Sequence, residues 1–86
     1  MTRRSNKQRD VTVRLAREAD QAELDRLAAL DSATPIETEA LVAEADSKLI
    51  AAVPLESGSP IADPFEATAD AVALLELRRA QLADAA

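Results

Sequence analysis

The spacing of apolar and polar positions changes along this chain in ways that mark strands, helices and turns. Val11-Thr-Val-Arg-Leu15 alternates apolar with polar side chains and carries β-branched residues, the pattern of a half-buried strand. Asp20 is a residue type that caps helix N-termini, and Glu23, three positions later, completes a capping-box pattern. Leu24, Leu27 and Ala28 then share one helical face with Leu30 nearby, so the spacing predicts a helix over about 21–31. Residues 31–39 mix Ser, Thr, Pro35 and acids and read as a loop, with Ile36 available to pin it to a core.

Two apolar runs follow, Ala40 to Ala45 and Lys48 to Val53, separated only by Asp46-Ser47. A two-residue polar spacer between β-like runs predicts a tight hairpin. Leu49-Ile-Ala-Ala-Val53 is apolar at consecutive positions, which predicts a strand covered on both faces. Pro54 has no N–H to give to a ladder, so a bulge or the end of pairing is expected there. Ser57-Gly-Ser-Pro60 holds the chain's single Gly and reads as a turn, and Ile61 to Phe65 as a short further strand.

Thr68 and Asp70 suit the start of a last helix over about 69–83. Ala71, Leu74, Leu75 and Leu82 form its expected apolar stripe, widened by Val72 and Leu77. Arg78 falls near the middle of that stripe, four residues from both Leu74 and Leu82. A guanidinium in that place suits either a snorkelling side chain near a helix C-terminus or a partner's carboxylate across an interface. Leu77, Arg78 and Leu82 are therefore the candidate interface residues.

Composition narrows the chemistry. Of 86 residues 20 are Ala, there is no Cys, His, Trp or Tyr, and the larger apolar side chains are mostly 11 Leu. A core built this way is small, and self-association is one remedy. Without thiol, imidazole or phenol, a general acid or base must be a carboxylate, a Lys or a chain terminus, and no Ser has a His to activate it. Glu44 and Asp63, read as strand carboxylates, are the residues that could serve as a base; the plainer expectation is a solvent-facing Glu44 and an Asp63 that caps the approach to the last helix. Disulfide and zinc staples are excluded by the same absences, and no catalytic, cofactor-binding or metal-ligating residue is assigned.

Net charge is −6, unevenly spread. Arg3, Arg4, Lys7 and Arg9 make residues 1–10 a basic lead, expected to be disordered, ahead of a single acidic domain over 11–84. An acidic body argues against nucleic-acid binding. The longest apolar run, Leu49 to Val53, is far below the ~18 residues a membrane span needs. Arg outnumbers Lys eight to two beside abundant Ala, a bias of GC-rich coding, so a cytoplasmic bacterial protein is expected.

The residues V-T-V-R-L-A-R-E-A-D-Q-A-E-L-D-R-L-A-A-L-D (Val11 to Asp31) resemble the first strand and helix of the GNAT (N-acetyltransferase) family. L-V-A-E-A-D-S-K-L-I-A-A-V (Leu41 to Val53) is similar to that family's second and third strands, and Ile61 to Phe65 stands where its fourth strand would be. The resemblance covers about 70 residues and rests on the order and spacing of these pieces. It implies a partial GNAT-like α/β (α+β) fold, a three- to four-stranded, mainly antiparallel sheet with two main helices in the order β-α-β-β-β-α. The spacing of residues 31–39 leaves room for no more than a turn where the family has a second helix.

Where the family has a Gly-rich loop for the acetyl-CoA pyrophosphate, this chain has Asp63-Pro-Phe-Glu-Ala-Thr-Ala-Asp70. That segment has no Gly, one residue without an N–H, and three acids, all unfavourable to a diphosphate. The expectation is a non-catalytic GNAT-like module with no cofactor, acting as a homo-oligomer or on a protein partner. The alternative is an acetyl-CoA-dependent N-acetyltransferase whose cleft a second copy or partner subunit completes.

Overall fold

The computed structural model describes residues 10–85, so the basic lead lies outside the described residues except for Asp10. Strand β1 (Thr12–Leu15) leads through a 3-10 turn (Glu18–Asp20) into helix α1 (Gln21–Leu30). Strands β2 (Ala40–Ala45), β3 (Lys48–Pro54) and β4 (Ile61–Ala62) then form a meander, and helix α2 (Ala69–Ala85) follows. Among the described residues the strands make one four-stranded antiparallel sheet in chain order, β1-β2-β3-β4. The small α+β fold expected from the spacing is the fold observed.

The helices cover opposite faces of this sheet. Leu24, Leu27 and Ala28 of α1 pack with Ile36, Ala40, Val42, Leu49, Ala52 and Ile61. Ala71 and Leu75 of α2 pack with Leu41, Ala43, Ala45, Ile50, Ala51 and Val53. Because strand side chains alternate between faces, β2 and β3 must be apolar throughout to be buried on both. That is why their consecutive apolar positions read as they do. Each fully buried Leu contributes roughly 2–3 kcal/mol of burial, and Leu27, Leu41, Leu49 and Leu75 are all of this kind.

The β2–β3 hairpin turns on Asp46 and Ser47, both at positive φ (54° and 64°). This is the two-residue turn whose twist matches that of the strands it joins. The register slips once: Ala43 pairs with Ala51 but Glu44 pairs with Leu49, so Ile50 is an extra residue in β3. The bulge turns Ile50 and its neighbour Ala51 to the same α2 side, where both are buried. The break expected at Pro54 does not occur: Pro54 pairs with Ala40, its nitrogen faces away from β2, and the Leu55 N–H still donates to Glu39 O at 2.9 Å, while the bulge lies four residues before Pro54.

Helix α1 ends in a Schellman arrangement. Ala33 N–H donates to Ala28 O (2.8 Å) and Ser32 N–H to Ala29 O (3.3 Å), with Ser32 at φ 52°. The loop after it contains no helix among the described residues.

Three expectations are corrected. Asp20 does not cap α1 with its side chain; it closes the preceding 3-10 turn, accepting the Arg17 N–H on Oδ2 at 2.7 Å. The carboxylate is already engaged by Arg14, so the cap moves three residues upstream. The fourth strand stops at Ala62, and Asp63 lies just past it, because Pro64 cannot continue the ladder. The apolar stripe of α2 divides: Ala71 and Leu75 are buried, whereas Leu74, Leu77 and Leu82 are 45%, 55% and 39% exposed. The sheet is too narrow to cover the whole helix, and beyond Leu75 none of its described residues is buried.

Candidate interaction surface

Strand β1 forms one edge of the sheet, and its Cα partners on β2 are Thr12↔Glu44, Val13↔Ala43, Arg14↔Val42 and Leu15↔Leu41. Directly opposite residues share a face, so Val13 and Leu15 point to the α2 side with Ala43 and Leu41. Val11 and Val13 pack at the margin of that core and stay half-buried, and Leu15 is 52% exposed. A shallow groove of about 340 Å³ separates β1 from α2, lined by Val11, Val13, Leu74, Leu77, Arg78 and Gln81.

Leu74, Leu77, Arg78 and Gln81 recur at helical spacing and form one face of α2 turned toward β1. Of the expected interface residues, Leu77 and Arg78 stand in this groove. Leu82 is exposed elsewhere on the same helix. Leu74, Val11, Val13 and Leu15 were not among the candidates. The signal for Leu74 was its place three and four residues before Leu77 and Arg78. For β1, it was the alternation itself, which puts three apolar residues on one side of an edge strand.

Both edges of the sheet carry outward backbone groups, but among the described residues only the β4 edge is met by a side chain from a neighbouring element. At β4, Asp31 Oδ2 accepts the Ala62 N–H at 3.1 Å. At β1, Ala16 N–H donates to Ala40 O at 2.9 Å. Hydrogen-bonded and non-bonded pairs alternate in an antiparallel ladder. Thr12 and Arg14 therefore share the phase of Ala16 and bond to β2, while the N–H and C=O of Val11, Val13 and Leu15 face outward. The Leu15 carbonyl accordingly accepts from Arg14 Nη1 at 3.2 Å.

Arg14 is the hub on the other side of β1. Its Nη1 donates to Asp20 Oδ2 (2.8 Å), its Nη2 to Asp20 Oδ1 (3.1 Å) and its Nε to Glu44 Oε1 (3.3 Å). The Arg14 hydrogen bonds, followed by that from the Arg17 N–H, hold the Asp20 carboxyl down to about 2. The same bond to Asp20 raises the Arg14 guanidinium above its ordinary value. Glu44 is thus neither solvent-facing nor poised as a base: it is half-buried and paired with Arg14.

The start of the segment 63–70 is tied down by its own backbone and by two cations. Asp63 is buried, and its Oδ1 accepts the Phe65 N–H at 2.8 Å while its carbonyl accepts the Glu66 N–H at 3.2 Å. Arg26 Nη1 lies 3.8 Å from Asp63 Oδ2, and Lys48 Nζ donates to Glu66 Oε2 at 2.8 Å. Arg26 also donates to Leu49 O at 3.1 Å, a carbonyl beyond the reach of short β4. The N–H groups of Phe65 and Glu66 and the cations Arg26 and Lys48 are thus already engaged. Phe65, the chain's one aromatic residue, is 82% exposed at the tip of this turn.

A second cleft, about 490 Å³, lies between the α1–β2 loop and the β3–β4 turn, with Pro35, Glu37, Thr38, Ser57 and Ser59 among its lining. No helix among the described residues is long and apolar enough to cross a membrane. No family model matches this chain, and no curated protein or solved structure matches it either.

Proposed function

We propose that this chain is a non-catalytic, GNAT-like module that works by association, in the first instance with itself. The observation that carries this reading is the apolar surface on the α2 side of the sheet. Leu74 and Leu77 face a groove floored by Val11 and Val13, with Leu15 exposed on the same side of the sheet. A small alanine-rich core gains little from leaving large side chains in water, and contiguous exposed apolar surface of this kind marks interaction sites.

The reading extends to ancestry and setting. The β-α-β-β-β-α order, with helices on opposite faces of a sequential antiparallel sheet, agrees with the GNAT resemblance of the sequence. The acetyltransferase alternative needs a diphosphate site at 63–70. The engaged N–H groups of Phe65 and Glu66, Pro64, and the carboxylates of Asp63 and Glu66 all oppose one. Absence of Cys, together with the Arg and Ala bias, accords with a cytoplasmic setting.

Sedimentation velocity over a micromolar concentration series tests the proposal. A species of about twice the 9.1 kDa chain mass is expected, and Leu77→Asp is expected to shift it toward the monomer. Calorimetry with acetyl-CoA separates the alternative: millimolar silence from the folded protein is expected, and saturable binding would favour the enzyme.

A further inference from the structure

We infer that two copies of this chain join edge to edge through β1, antiparallel about a twofold axis centred on Val13, forming one continuous eight-stranded sheet. The inference rests on the self-association reading and specifies its surface. Its first support is the hydrogen-bond phase. A strand can accept a new neighbour only through residues whose backbone groups point outward; on β1 these are Val13 and Leu15, and Val11, directly before the strand, continues their alternation. A twofold perpendicular to the sheet pairs residues of like face. Centred on Val13, it sets Val13 opposite Val13 and Val11 opposite Leu15, so every outward N–H of the three meets a carbonyl, with the Leu15 carbonyl accepting on its second lone pair beside Arg14 Nη1. Shifting the centre to Thr12 or Arg14 leaves one of these three residues without its counterpart.

Side-chain chemistry selects the same register. Centred on Arg14, the axis would put two guanidiniums face to face, a like-charge pair directly across a ladder. Centred on Val13, it sets Thr12 opposite Arg14, and each Arg14 keeps its bonds to Asp20 and Glu44. On the other face, Val11, Val13 and Leu15 from each copy form one unbroken apolar ladder. The Leu74 and Leu77 faces of the two α2 helices then stand on the same side of the joined sheet, as the walls of that apolar floor. An identical strand is the occupant these features fit, because each requirement is met by β1 itself, the hallmark of an isologous twofold contact.

Nothing in β1 resists such pairing. It carries no Pro or bulge, and Arg14 is bound mainly to Asp20 and Glu44, reaching the edge only through one 3.2 Å bond from Nη1 to the Leu15 carbonyl. The β4 edge offers only two residues, one of whose N–H groups Asp31 already takes.

Val13→Pro tests the inference. The substitution deletes an N–H that points away from β2, and Pro is tolerated on an edge strand in that orientation, so the fold is expected to persist by circular dichroism. Each dimer loses two hydrogen bonds at its centre, and its dissociation constant is expected to rise about thirtyfold or more. A second variant guards against misfolding. The chain has no Cys, and Val13→Cys places two thiols across a hydrogen-bonded pair about 5.5 Å apart between Cα atoms, within disulfide range. Mild oxidation is expected to cross-link this variant much faster than one carrying Ala22→Cys on the exposed side of α1. A wild-type dimer whose mass and dissociation constant are unchanged by Val13→Pro, or equal cross-linking of the two cysteine variants, overturns this geometry while leaving self-association standing. A wild-type monomer at every concentration overturns both.

Discussion

Arg14 grips Asp20 with two parallel hydrogen bonds, 2.8 and 3.1 Å long, and so ties edge strand β1 to the turn that launches α1. The Arg17 N–H completes the ring of donors around the carboxylate. Bidentate pairs of this sort fix geometry as well as charge.

The pair makes stability depend on acid. Asp20 sits at about 2 in the folded chain, against an ordinary value of about 4. Its contribution is complete above the unfolded value and is lost as pH falls from about 4 to about 2. With screening at this partly open site, the loss is about 1–2 kcal/mol. Urea titrations between pH 6 and pH 2 are expected to show it, and Asp20→Asn is expected to remove most of this slope while lowering stability at neutral pH.

Two serines hold left-handed backbone where Gly is more usual: Ser32 at the end of α1 and Ser47 in the hairpin. Left-handed geometry costs an L-residue about 1–2 kcal/mol, part of which is offset by the greater freedom of Gly when unfolded. Ser32→Gly and Ser47→Gly are each expected to raise unfolding free energy by about 0.5 kcal/mol, read from thermal midpoints.

Gly58 is the reverse case. At φ 133°, an added Cβ would come within 2.9 Å of Pro54 Cγ, and Arg79 of α2 donates to the carbonyls of both Pro54 and Gly58 at 3.0 Å. Gly58→Ala is expected to cost about 1–3 kcal/mol through strain at this turn. Arg79→Ala, which frees the two carbonyls, is expected to cost about 1 kcal/mol. Chemical denaturation of the two variants checks both values.

Leu75 and Leu77, two positions apart on α2, separate folding from association. Leu75 is wholly buried, and Leu75→Ala is expected to cost about 2–4 kcal/mol. Leu77→Ser, at an exposed site, is expected to change the stability of the isolated chain by less than about 0.5 kcal/mol while weakening self-association. Denaturation at high dilution, paired with sedimentation at high concentration, distinguishes the two effects.

The strand and helix order could be read from the sequence because local spacing encodes it. The continuous apolar run at 49–53 meant burial on both faces, and Asp46-Ser47 left room only for a two-residue turn. The bulge at Ile50 was not visible, since an inserted apolar residue within an apolar run changes no pattern. Asp20 reads as a helix cap in the sequence because the Arg14 that engages it lies on another element. Leu74 and Leu82 share an apolar stripe with buried Leu75 in the sequence because periodicity reports the face of a helix, not how far the sheet beneath it extends. The proposed association surface follows from that width: among the described residues, β1 and the outer face of α2 are left uncovered together.

The most direct measurement is residue-resolved amide hydrogen exchange as protein concentration is raised through the micromolar range. The N–H groups of Thr12 and Arg14, bonded within the chain, serve as the reference. The amides of Val11, Val13 and Leu15 are expected to exchange freely in dilute solution and to gain protection together as concentration rises. Exchange at these three positions that stays fast at every concentration, while the protein remains folded, would contradict the β1 pairing.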